Sequence, residues 1–167
     1  MQLIGGSQKL LKVLHVYFGG IWSGGAASLF AIHCLYFPNS GPELYARNMA
    51  LIFIDYYIII PAAVGSCLTG LLYSQFTGWG YVKHYWVIIK WVSTIFFIAL
   101  GFFWFVPWLH EMIEASMLLR NTPVIDYSRY DVATYIHMGM TIVQTVLLLF
   151  LVIISILKPW GRTQYRW

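Results

Sequence analysis

Four stretches of the chain, at about residues 9–37, 45–76, 82–109 and 131–158, stay apolar for longer than the roughly 20 residues a helix needs to cross hydrocarbon. Lipid offers no partners to the backbone, so every N–H and C=O in such a stretch must be satisfied within the protein. The expected architecture is therefore all-α: an integral-membrane four-helix bundle, up-down-up-down, forming one domain over residues 1–167. Composition agrees, since 60% of residues are hydrophobic and 10% charged, where a soluble domain carries about one quarter charged. The first apolar run is too long for a cleavable signal peptide and lacks a clear small-residue cleavage site. Helix one is expected to end at Phe37-Pro38, with "PNSGPE" as a turn. Pro107 is expected to kink or stop helix three, leaving "EMIEASMLL" as a short interfacial helix.

The net charge of +4 reads as topology signal and contact with lipid headgroups, which argues against nucleic-acid binding. Lys9, Lys12, Lys83, Lys158, Arg162 and Arg166 fall on one side of the expected membrane, against Arg47, Arg120 and Arg129 on the other. Both termini are thus expected in the cytoplasm, with the protein in the inner (cytoplasmic) membrane. Trp79, Trp86, Trp108 and Trp160 lie near span ends, as interfacial anchors should. Cys34 and Cys67 match no redox or zinc spacing and read as small buried hydrophobes.

Ionisable groups inside a span are costly and become functional candidates by default. The spans hold His15, His33, Asp55, Lys90 and His137, with His84 and His110 at the rims. By depth, His15, Lys90 and His84 form an inner group, and His33, His137 and His110 an outer one. His15 and His33 are 18 positions apart, five whole turns, so both leave the helix on one face about 27 Å apart. Gly19 and Ala26 fall on or near the strip between them. Asp55 is a candidate partner for a histidine or a bundle-facing hydroxyl.

Haem b, one or two per chain, best explains two depth-matched groups of nitrogen donors. Bis-axial ligation needs side chains facing each other across the bundle diagonal, small residues beside the porphyrin, and apolar walls. Helices one and three should be diagonal, which pairs His15 with Lys90 or His84. For the outer site His33 faces His110 or His137, and depth leans to His137 with His110 at the rim. Gly19 and Trp22 are the expected porphyrin-side residues of helix one. Gly20 and Gly24 equally fit a small-xxx-small helix contact. His137-Met138-Gly139-Met140, with Met112 and Met117, would suit Cu(I), so copper handling is an alternative. Each histidine also has a purely structural reading, and Lys90 could snorkel.

These residues resemble a family. "KVLHVYFGGIWSGG" is similar to the first helix of HemJ-type protoporphyrinogen oxidases, with Lys12, His15, Trp22 and Gly25 in its pattern. Pro61 and Gly70 match that family's proline followed nine residues later by glycine. "WVIIK" places Lys90 on its essential lysine, and "LKPW" resembles its terminal motif. The helix-one pattern also occurs in CopD-like copper-resistance proteins. The resemblance implies a haem-binding four-helix membrane protein with His15 and Lys90 as key inner positions. It further implies a membrane oxidoreductase passing electrons to quinone, with a porphyrin as substrate. The family's Pro-Arg in helix one is replaced here by Phe30-Ala31. Electron transfer or haem and porphyrin handling is the leading expectation, protoporphyrinogen oxidation the alternative; homo-oligomerisation is left open.

Overall fold

The computed structural model describes residues 5–121 and 131–163. Arg129 and Arg166, which enter the charge count, and the stretch 122–130 of the long connection lie outside the described residues. The described chain is all-helical, with four long helices: α1 (Gly5–Leu35), α2 (Gly41–Phe76), α3 (Tyr85–Leu119) and α4 (Asp131–Leu157). Each is long and apolar enough to cross a membrane.

Chain punctuation explains most boundaries. The residue before a proline is pushed out of the helical region, and α1 stops at Leu35, just short of Phe37-Pro38. Helix α2 starts four residues earlier than expected. Ser40 is an extended N-cap, Pro42 occupies the first turn where its missing N–H costs nothing, and Glu43 accepts the Asn39 N–H at 2.8 Å.

The main departure is in α3. It does not stop at Pro107 but continues ten residues beyond 109, so "EMIEASMLL" is its last turns and not a separate interfacial helix. A proline lacks an N–H and its ring clashes with the carbonyl four residues back. Here the clash is relieved by a wider, π-helical turn at Gly101–Phe105, in which the Val106 N–H reaches back five residues to the Gly101 carbonyl. Helix α2 uses the same device before Pro61: a π turn at Asp55–Ile59, closed by the Ile60 N–H on the Asp55 carbonyl.

Neighbouring helices run antiparallel. Along α1 and α2, His15, Phe18 and Gly25 meet Gly70, Gly65 and Ile59 in turn. Across α2 and α3, the Asn48 amide donates to the Met112 carbonyl at 2.9 Å. Phe105 of α3 meets His137 of α4, and the Lys158 ammonium lies 4.5 Å over the Trp79 ring at the opposite end. Helix α1 packs against α2 and α4, so α3 stands across the diagonal from it.

The two halves of the bundle differ in tightness. Leu29, Leu44, Leu51, Leu109 and Met112 have no exposed surface. They belong to the half where the last turns of α3 pack on the first turns of α2. The other half of α3, Tyr85–Leu100, packs closely only against α4 and stands off α1 and α2. Long side chains bridge that gap, with Trp22 and Phe97 edge to face at 6.0 Å.

The glycines of α1 act selectively. A Cβ on Gly25 would lie 2.7 Å from the Ile59 side chain, and one on Gly65 2.6 Å from the Phe18 ring, whereas Gly20 and Gly24 face open space. The small-residue contact thus runs through Gly25 and Gly65 rather than the expected Gly20 and Gly24. Gly65→Ala should destabilise the protein by about 1–3 kcal/mol in detergent unfolding, because overpacking outweighs alanine's better helix propensity. Gly20→Ala should be neutral or stabilising by up to about 1 kcal/mol.

Candidate cofactor site

In the loosely packed half, His15 is held by α2. Its Nδ1 lies 3.1 Å from both the Ser66 carbonyl and Thr69 Oγ1. The Ser66 carbonyl can only accept, so Nδ1 carries the proton. The Thr69 hydroxyl spends its own proton on the Gly65 carbonyl at 2.7 Å and accepts in turn from His15. Nε2 therefore keeps its lone pair, and it faces Lys90 Nζ at 3.5 Å across the diagonal. Gly70 makes room for the ring: a Cβ there would sit 3.2 Å from His15 Cε1.

One nitrogen is fixed to a backbone carbonyl and the other turns its lone pair to Lys90, an arrangement that metal-ligating histidines also use. An imidazole nitrogen and a lysine amine are both donor types that haem iron accepts, so His15 and Lys90 are the residues that would hold such a group here. The stand-off of α3 from α1 and α2 lies in the same half of the bundle. His84 is elsewhere: its Nδ1 donates to the Trp79 carbonyl at 3.2 Å, and its ring packs among Trp79 and Trp86. Gly19 faces α2, where a Cβ would meet only Ser66 Oγ at 3.9 Å. Trp22 is buried, with Nε1 lacking a hydrogen-bond partner among the described residues.

The other group of histidines is arranged differently. His33 Nε2 and His137 Nδ1 share a hydrogen bond at 2.8 Å, one ring donating and the other accepting. Both rings are buried, His137 without any exposed surface. Their remaining nitrogens, His33 Nδ1 and His137 Nε2, have no partner among the described residues. A 2.8 Å contact leaves no room for an iron between the two rings. His110 is apart from both: it is exposed, and its Nδ1 donates to the Val106 carbonyl one turn back at 3.0 Å. The structure thus brings together His15 with Lys90 and His33 with His137, while His84 and His110 stand alone.

Several polar side chains of the site escaped the sequence reading. His15 is anchored by the Thr69 hydroxyl and by the backbone carbonyl of Ser66, yet a Thr in an apolar helix ordinarily bonds its own preceding turn, as Thr69 also does, and a carbonyl leaves no mark on residue type. Arg47, counted above only as a charge on the outer side, is 6% exposed, and its neighbour Asn48 is fully buried. Buried Gln144, in the most apolar span, was the clearest missed signal. Among the described residues no group of three or more His, Cys, Asp or Glu could hold a metal ion.

Comparison with protein-family models, with curated proteins and with solved structures returns no match. Function is therefore argued from the site itself.

The buried imidazole pair makes its own stability prediction. His33→Ala and His137→Ala should each cost about 1–3 kcal/mol, because the surviving ring loses the hydrogen bond between the two imidazoles in an apolar setting. The double variant should cost less than the sum, with a coupling of about 0.5–3 kcal/mol. His110→Ala should stay within about 0.5 kcal/mol of the parent in the same detergent unfolding assay.

Proposed function

We propose that this is a b-haem membrane protein with one haem, held by His15 and Lys90, that serves electron transfer or haem and porphyrin handling. The observation that carries the reading is the His15 geometry: Nδ1 tied to the Ser66 carbonyl, Nε2 presented to Lys90 Nζ. Haem b bound there would supply one-electron redox chemistry, with a potential set by axial ligands and burial. Ser66 and Thr69 fix the tautomer and ring plane of His15, which keeps its Nε2 basic. Lys90 reaches from the opposite helix and presents a second nitrogen 3.5 Å from His15 Nε2. Trp22 and Phe97, edge to face, form an apolar wall on the side toward the bundle middle. The resemblance to HemJ-type helices supports the same two positions. With His33 and His137 bonded to each other, a second haem in the outer group is left out of this proposal.

Orientation belongs to the same proposal. Lys83, Lys158 and Arg162 lie at the end of the bundle where both described termini lie, and Lys9 and Lys12 are in the first turns of α1. The positive-inside rule favours both termini in the cytoplasm, and the proposal takes the inner membrane as the membrane spanned. Reporter fusions at either terminus should read cytoplasmic, and a fusion in the connection between α1 and α2 should read external; the reverse pattern would overturn the orientation.

Purified protein, or protein titrated with hemin, should show the Soret and sharpened reduced α-band of six-coordinate b-haem, with about one haem per chain by pyridine haemochrome. His15→Ala should abolish binding. Lys90→Ala should retain weaker binding and lose the six-coordinate spectrum, while His33→Ala and His137→Ala should retain one haem. Colourless protein that takes up no hemin sinks the reading, and an unchanged spectrum in His15→Ala moves the ligand elsewhere.

A further inference from the structure

One layer of the bundle holds polar chemistry that the inner nitrogen pair does not use. The Asn48–Met112 bond sets the register of α2 against α3. Counting seven residues along each helix from that bond puts Asp55 level with Phe105, and Phe105 packs edge-on against His137 at 5.6 Å. The His33–His137 pair and Asp55 therefore fall within about one helical turn of each other along the bundle axis. Both π turns, Asp55–Ile59 and Gly101–Phe105, lie in this layer too. Such turns recur at functional sites, where they trade regular bonding for local backbone freedom.

Asp55 is 6% exposed and has no hydrogen-bond or ion-pair partner among the described residues. A carboxylate carried inside a membrane span is expensive, and a carboxyl without a cation partner avoids that cost by holding a proton. The imidazole pair has the chemistry to pass such a proton. Its central nitrogens share a hydrogen bond of 2.8 Å, and its two outer nitrogens are buried without a hydrogen-bond partner among the described residues. A purely structural histidine pair would have those nitrogens capped, because an unmet buried donor is costly.

We propose that this layer is a proton-transfer site, in which His33 and His137 carry protons between the near end of the bundle and the carboxyl of Asp55. A proton taken up at the free nitrogen of one ring lets that ring pass its other N–H proton to the second ring. The second ring then releases a proton from its own free nitrogen. One proton enters and one leaves, no electrons move, and the pair resets by the same exchange in reverse. The charged group that acts on both rings is Arg47 of α2, while Asp55 lies about one helical turn away along the axis and α3 presents the Phe105 ring. The inference does not rest on haem binding, since none of these residues belongs to the His15–Lys90 pair.

The test is hydrogen–deuterium exchange of the Asp55 carboxyl in the protein as purified. The carboxyl is read by its infrared C=O band, which Asp55→Asn identifies by difference. The band should shift promptly after mixing with deuterated buffer. His33→Phe and His137→Phe should slow that shift by about tenfold or more, and His110→Phe should leave it unchanged. Should the Phe variants fail to fold, His33→Gln and His137→Gln keep a hydrogen bond but cannot relay, and must show the same slowing. A nitrogen–nitrogen coupling across the 2.8 Å bond in 15N-histidine spectra is expected as well. Equal exchange rates in the parent and the Gln variants would overturn the proposal. So would the absence of any exchangeable Asp55 carboxyl band between mildly acidic and mildly basic pH.

Discussion

A proline inside a membrane-spanning helix leaves a carbonyl without its donor in a solvent that supplies none. Pro61 and Pro107 each raise this problem, and each is answered by a π turn that widens the helix just before the ring. Much else depends on that answer. Because neither helix breaks, α2 and α3 run as continuous rods of 36 and 35 residues. Their outer turns can then zip together around Leu44, Leu51, Leu109 and Met112. The Asn48 side chain seals the contact on a backbone carbonyl of the facing helix. A true stop at Pro107 would have removed the surface on which α2 begins.

Tight packing at one end and a stand-off at the other place the same side-chain chemistry in two settings. Near α3's first turns, a single imidazole is clamped by a carbonyl and a hydroxyl and looks across a gap to an amine. At the closed end, two imidazoles meet directly and satisfy each other only halfway. Nitrogen held at one side and open at the other is what ligation needs, whereas nitrogens in a chain with free ends are what proton transfer needs. The difference between the two settings follows from how far apart the helices stand, not from the residue type.

Backbone proximity also decides which glycines matter. Gly25 and Gly65 sit where a side chain of the facing helix already occupies the space of a Cβ, while Gly20 and Gly24 look outward. All four lie in glycine-bearing apolar segments, and only the helix rotation separates them.

The four spans, most of their ends (though not the far end of α3) and the roster of intramembrane nitrogens were determined by the sequence alone. Hydrophobic length and the cost of burying charge are local properties that act on any chain in lipid. The depth grouping of His15 with Lys90 and of His33 with His137 was likewise legible, because depth follows from counting residues along a helix of fixed rise. Partner choice was not. Whether His33 would meet His137 or His110 depended on rotation of α3 beyond the π turn, and that turn has no signature short of the proline itself. The carriers of His15, Ser66 and Thr69, were invisible for the same reason: their importance comes from a carbonyl and a hydroxyl on α2 arriving at one imidazole of α1. Tertiary structure decided these contacts, since they join residues 51 to 104 positions apart, and no local pattern encodes the angle at which two helices face each other.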